Sequence, residues 1–262
     1  MNLSLRDKSA IVCGSTQGIG KASALELARF GANVTLVARD EEKLKIMLPE
    51  LDASQGQVHS YIAADFSKPA ELKEKILLHL NNNPPVTILV NNTSGPPGGT
   101  AIDAKPEEFL QAFSNHLICN QMLVQCVAGG MKKCGYGRII NIISTSVKMP
   151  IKGLGVSNTV RGAVANWAKT LSTELAPFGI TVNNVLPGAT ATARLQSLME
   201  IRAKKAGTSL QEEQCDWLRE IPAGRFALPD EIANAVAFLA TPAASYINGI
   251  NLPVDGGRTG CL

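Results

Sequence analysis

The chain has 262 residues, 45% hydrophobic and 18% charged, with 25 Lys+Arg against 22 Asp+Glu for a formal charge of +3. That length supports one sizeable core, and the balance excludes a disordered chain, a collagen-like repeat and a disulfide-stapled miniature. The basic residues are scattered and the surplus is small, so no nucleic-acid partner is expected. Cys13, Cys119, Cys126, Cys134, Cys215 and Cys261 form no CxxC pair, and the only histidines are His59, His79 and His116. Metal-ligand spacing is therefore absent, and the cysteines read as small apolar residues of a reducing compartment. Arg6, Asp7 and Lys8 precede any apolar run, and no stretch reaches about 18 apolar residues. The expectation is a cytoplasmic chain with no signal peptide and no membrane span.

Short continuous apolar runs alternate with longer amphipathic stretches. Residues 9–13 read as a buried strand and 18–30 as a helix stopped by Gly31. A strand follows at 33–38, a charged helix at 40–51, a strand at 58–63 and a helix at 69–82. Pro84 and Pro85 punctuate before a strand at 86–90. Residues 106–133 read as one long helix with Pro106 in its first turn, then come a strand at 138–143 and a helix at 155–176 stopped by Pro177. A strand at 180–186, a helix at 228–240 and a short strand at 250–254 complete the pattern. Strands that are apolar throughout and separated by helices predict an α/β fold of the doubly wound Rossmann type, with helices on both faces of a mainly parallel seven-stranded sheet. One domain spans residues 1–262. Residues 190–222, polar and mixed in charge, read as an irregular, lid-like segment at the sheet's C-terminal edge.

Gly14, Ser15, Thr16, Gln17, Gly18, Ile19 and Gly20 directly follow the first strand and open the first helix. A sharp turn that bares N–H groups at a helix N-terminus attracts phosphate, so this segment points to a dinucleotide. The spacing is GxxxGxG. With that spacing the chain resembles the short-chain dehydrogenase/reductase family over nearly its whole length. Further matches are Asp65, Asn91-Asn92-Thr93-Ser94-Gly95, the strand from Asn141 to Ser144, and Pro187-Gly188 with Thr192. The segments Ile221 to Phe226, Pro229 to Ala233 and Val254 to Gly257 resemble 3-oxoacyl-acyl-carrier-protein reductases in particular.

The resemblance implies a nicotinamide cofactor held by the glycine turn, Asp65 at the adenine, Asn91, Pro187, Gly188 and Thr192. It places Asn115 at the family's catalytic asparagine and Ser144 at its catalytic serine. It also implies a homodimer or homotetramer, through the helices at 106–133 and 155–176, and a small-molecule carbonyl or alcohol substrate. Where NAD-binding relatives carry an acid at the end of the second strand, Ala38 stands here, followed by Arg39. A planar, permanently charged guanidinium suits a 2′-phosphate, which favours NADP(H) over NAD(H). A surface role for Arg39, with Asp40 capping the next helix, stays open.

The family's proton donor is a tyrosine thirteen residues beyond the serine, with a lysine four further on. Here those positions hold Ser157 and Arg161. A tyrosine near pKa 10 can be brought into range of neutral pH by a cation, whereas an aliphatic hydroxyl is a far weaker acid. Arg161 can hold the nicotinamide ribose but keeps its proton. Tyr61, Tyr136 and Tyr246 fall away from the expected site. His116 follows Asn115 by about 100° of regular helix and should point elsewhere. Lys148 and Arg194 border the substrate pocket implied by the fold and are candidate substrate contacts, with solvated surface roles as the alternative. Three functions compete: an NADP-dependent reductase of 3-oxoacyl thioesters or similar ketones with an altered proton donor, a cofactor-binding protein whose catalysis has lapsed, and an epimerase or dehydratase with Lys148 as base.

Overall fold

In the computed structural model, which describes residues 1–261, seven apolar runs become strands: β1 (Ser9–Cys13), β2 (Asn33–Ala38), β3 (Ser60–Ala63), β4 (Ile88–Asn91), β5 (Gly137–Ile142), β6 (Ile180–Pro187) and β7 (Asn251–Val254). They form one sheet in the order β3-β2-β1-β4-β5-β6-β7, every neighbouring pair parallel. The order reverses between β1 and β4, the point where open sheets of this kind leave a crevice at their C-terminal edge. Alternate strand residues feed two cores. Val12, Leu36, Val90, Ile140 and Val185 pack with Leu27 of α1 (Gly18–Arg29), Leu44 of α2 (Glu41–Met47) and, further along the chain, Val236 of the last helix (Pro229–Ala240). Ile11, Val37, Leu89, Ile139 and Val182 pack on the opposite face with Ile76 of α3 (Pro69–Asn82) and with the helices between β4 and β6.

That second face carries a polar line within an otherwise apolar layer. Asn91, Asn141, Asn184 and Asn251 stand in register on β4, β5, β6 and β7. Each Nδ2 donates to the next Oδ1, at 2.8, 2.9 and 2.8 Å. Buried amides are tolerated because they satisfy one another; Asn91 Oδ1, at the end of the line, has no partner among the described residues.

Two expectations are corrected. The long helix at 106–133 is broken into α4 (Pro106–Phe113), a π-helical turn (Ser114–Ile118) and α5 (Cys119–Cys134). The wider turn resets which residues face inward, as such bulges do. Residues 190–222 are not irregular: they hold α7 (Ala193–Ala206) and α8 (Leu210–Arg219), after α6 (Gly155–Leu175) and before α9 (Pro229–Ala240). Thr192 Oγ1 caps α7, Gly207 at φ 70° ends it, and Ser209 with Glu212 forms a capping box for α8. The two helices bury Leu195, Met199 and Trp217 with Ala189 and Ile221 in a small cluster of their own. No helix among the described residues is long and apolar enough to cross a membrane.

Candidate active site

The C-terminal ends of six parallel strands deliver the site. After β1 the chain turns at Gly14, with φ 61°, and a Cβ there would stand 2.7 Å from Asn92 Nδ2. A Cβ on Gly20 would stand 2.1 Å from the Gly14 carbonyl oxygen. Asn92 locks this turn by donating from Nδ2 to the Cys13 and Gly14 carbonyls at 3.2 and 3.3 Å. Gln17 provides no side-chain cap to α1, so the first-turn N–H groups lack a side-chain acceptor. Ser15 is fully buried with an unpartnered Oγ. A cradle that tolerates no Cβ, open N–H groups and an orphaned hydroxyl fit a dinucleotide pyrophosphate. Thr192 closes the turn from above, its Cγ2 standing 3.2 Å from a Cβ on Gly18. Gly188 N donates to the Val254 carbonyl at 3.0 Å, fixing the path that Pro187 starts.

At the end of β2, Arg39 is exposed and makes no ion pair among the described residues. The neighbouring Asp40 carboxylate is spent as the α2 N-cap, accepting from Lys43 N at 3.1 Å. Asp65, just after β3, accepts from Ser67 N at 2.9 Å, and that bond, with the nearby Arg39 charge, holds its carboxyl below the usual range. Asn91 does not turn its amide on the glycine turn, because Nδ2 is committed to the sheet's amide line; Asn92 takes that place.

Ser144 lies just past β5, half-buried, its Oγ accepting from Ser146 N at 3.1 Å and keeping its proton to give. Ser157 stands half-buried in the first turn of α6 with no hydrogen bond from its hydroxyl among the described residues, and Arg161 follows one turn later on the same face. Arg161 is 8% exposed and donates from Nη1 to the Ile142 carbonyl at 2.8 Å. Burial, with the positive charge of Arg194, pushes it down to about 10, so it remains a cation at neutral pH. Lys148 ends the short turn after Ser144, and its ammonium pairs with no carboxylate among the described residues.

None of the three tyrosines is hydrogen-bonded to Ser144 among the described residues. Tyr61 Oη donates to Glu41 at 3.2 Å, Tyr136 Oη to the Ala240 carbonyl at 2.6 Å, and Tyr246 is 101% exposed.

His116, expected to turn away from the site as a packed or interfacial residue, is buried to 3% exposure in the π-helical turn, with Nδ1 2.6 Å from Thr93 Oγ1 just beyond β4. Asn115, expected to face the site, is half-buried and accepts from Gln111 Nε2 at 2.7 Å. Nothing in the residue pattern marks the π-helical turn that carries both residues. Burial, aided by Arg161's charge, pushes the His116 imidazole down from 6.5 to about 3. The folded chain therefore keeps it neutral while the unfolded chain protonates it below pH 6.5. Stability is complete above that pH and declines as pH falls toward 3, by at most about 1.4 kcal/mol per pH unit from this group. His116→Gln should flatten that acid limb, read as urea midpoints at pH 7 and pH 5; equal losses in both chains would contradict the burial.

A sheet with one order reversal, a Cβ-intolerant phosphate cradle at the first βα turn and polar side chains gathered past β4, β5 and β6 define a dinucleotide-binding α/β protein with a site at its switch point. Residues 14–259 match the sequence model described as enoyl-(acyl carrier protein) reductase. The 3-oxoacyl-acyl-carrier-protein reductase of Vibrio cholerae is 33% identical over 97% of this chain and 98% of its own. An actinorhodin polyketide ketoreductase variant solved with NADPH superposes with TM-score 0.90 at 32% identity, covering 97% of this chain and 98% of that one. The L-sorbose reductase of Gluconobacter frateurii, solved with NADPH and L-sorbose, gives 0.92 at 28% identity with both chains covered in full. The chain belongs to the short-chain dehydrogenase/reductase family of oxidoreductases, in its 3-oxoacyl-acyl-carrier-protein reductase-like part.

Proposed function

We propose that this chain is an NADP(H)-dependent reductase that converts a carbonyl, a 3-oxoacyl thioester or a similar ketone, to an alcohol with no phenolic proton donor. A bound nicotinamide would supply the hydride to the carbonyl carbon. The observation that carries the reading is the pairing of an intact cradle, Gly14 to Gly20 locked by Asn92, with Ser144 and Ser157 hydroxyls at the end of β5 and start of α6. As hydride reaches carbon, negative charge develops on oxygen; the two seryl O–H groups donate to it, and the fixed charge of Arg161 stabilises it. Neither serine surrenders its proton outright, so the proton is drawn from water. Neutral His116, braced by Thr93 in the loop after β4, orders that water.

A second reading, a cofactor-binding protein without turnover, draws on the hydroxyls of Tyr61 and Tyr136 being bonded elsewhere and on Tyr246 being fully exposed. NADPH oxidation against 3-oxoacyl thioesters, ketones, aldehydes and sugars separates the two. Turnover by the natural chain supports the reductase; turnover only in a Ser157→Tyr, Arg161→Lys double variant supports the lapsed site. The NADP(H) assignment rests on Ala38 and the unpaired Arg39, now that Asp40 is committed to capping. Arg39→Asp should invert the preference, with NADPH affinity falling about tenfold or more and NADH affinity rising; equal affinity of the natural chain for both cofactors would refute it.

A further inference from the structure

Two guanidinium groups converge beside Gly95, with no carboxylate paired to either among the described residues. Arg161 turns Nη2 toward Gly95, and Arg194, in the first turn of α7, donates from Nη2 to the Pro96 carbonyl at 2.6 Å. A methyl group on Gly95 would stand 3.8 Å from Arg161 Nη2 and 3.5 Å from Arg194 Nη2. The two cations thus flank a single point, which the absence of a side chain at Gly95 leaves open. Neither arginine joins an ion pair among the described residues, whereas Arg29, Arg202, Arg219, Arg225 and Arg258 each have a carboxylate. Arg138, the other deeply buried arginine, spends its donors on the Gly137, Gly179 and Thr241 carbonyls and stacks on Tyr136. Arg161 and Arg194 spend one recorded hydrogen bond each out of five donors.

Arg161 is buried while Arg194 is exposed to solvent, and a buried cation left beside a second cation is costly unless an anion joins them. The missing anion belongs near the seryl hydroxyls. Arg161 is one helical turn from Ser157 and is bonded to Ile142, two residues before Ser144. The pyrophosphate cradle is elsewhere, at Gly14 to Gly20 beneath Thr192. The clamp is also held in place: Gly99 N donates to the Gly153 carbonyl at 2.8 Å and Gly155 N to the Gly99 carbonyl at 2.9 Å, fixing the loop that carries Gly95 and Pro96 to the start of α6.

We infer that Arg161 and Arg194 clamp a carboxylate of the substrate, so that, among the carbonyl compounds the reductase reading admits, the one reduced here is a ketone that carries a free carboxylate. The inference rests on the reductase reading and narrows it. Two planar forks match the oxygens of one carboxylate and leave its carbonyl beside Ser144 and Ser157.

The test is a binding measurement that needs no turnover. Calorimetric titrations of the NADP⁺-saturated protein with acetoacetate and pyruvate, and with their methyl esters, compare the natural chain with Arg194→Met and Arg194→Lys. At least one acid should bind the natural chain tenfold or more tighter than its ester. Arg194→Met should lose that advantage, Arg194→Lys should keep part of it, and NADPH affinity should be unchanged in both. The positive nicotinamide ring is common to all three proteins, so the difference between them isolates the arginine. Neither acid outbinding its ester would overturn the inference, as would an Arg194→Met variant whose NADPH affinity falls in parallel, which would assign the anion to the cofactor. Absence of NADPH oxidation would sink the reductase reading while leaving this titration readable.

Discussion

Gly20→Ala should cost the chain about 1–3 kcal/mol of stability and at least tenfold in NADPH affinity, although alanine favours a helix over glycine by about 1 kcal/mol. The new methyl would lie 2.1 Å from the Gly14 carbonyl oxygen and 2.6 Å from Asn92 Nδ2, contacts that backbone must move to relieve. The atoms displaced are the ones that shape the phosphate cradle, so the steric term overrides helix propensity and reaches the ligand. Gly129→Ala is the control. That glycine is exposed in α5, and a Cβ there meets nothing within 4 Å. Its replacement should stabilise the helix by up to about 1 kcal/mol and leave cofactor binding alone. Thermal midpoints of the two variants should move in opposite directions, and fluorescence titration should show weaker NADPH binding in Gly20→Ala alone; matching shifts would show that the turn is looser than its geometry implies.

Ser144→Ala should lower turnover about 10²–10³-fold with little change in KM, the usual cost of deleting one donor to a developing oxyanion. Ser157→Ala should cost about tenfold or less. In the proposed scheme Ser157 contributes a hydrogen bond alone and water supplies the proton, whereas the tyrosine that the family resemblance implies at this position would itself be the acid. Single-turnover rates with saturating NADPH measure both. A larger loss at Ser157 than at Ser144 would mean that Ser157 carries a role beyond donation, and the water-proton scheme would have to be abandoned.

Much of the architecture was readable because burial on both faces makes parallel strands apolar without interruption: β1, β2 and β6 follow their runs closely. β3 begins later than its apolar run, because Val58 is 77% exposed and pairing starts only at Ser60. The helices α7 and α8 escaped notice because their buried stripe serves a five-residue private cluster while their outer faces are charged. Their caps, Ser209 with Glu212 and Gly207, were nonetheless present in the residues.

The site was legible wherever a motif fixes backbone, as at Gly14 to Gly20, and where helical spacing sets a face, as for Ser157 and Arg161. It was illegible where geometry departs from regularity or depends on pairing. One π-helical turn carries Asn115 and His116, and it buries the second more deeply than the first. The line from Asn91 to Asn251 exists only in the register of four strands. The meeting of Arg161 and Arg194 at Gly95 joins α6, α7 and the loop after β4, segments whose approach no local pattern encodes.

In the proposed reaction hydride passes from NADPH to a carbonyl carbon in a site holding Ser144, Ser157 and Arg161, the last two where the family resemblance implies tyrosine and lysine. Incubating the natural chain with NADPH deuterated at the transferring position of C4, in the presence of oxo acids, thioesters and ketones, tests it directly by mass spectrometry. One deuterium is expected on the carbinol carbon of a product, with its loss when Ser144 is replaced by alanine. Tight NADPH binding with unlabelled material throughout, alongside labelling by the Ser157→Tyr, Arg161→Lys chain, would contradict it.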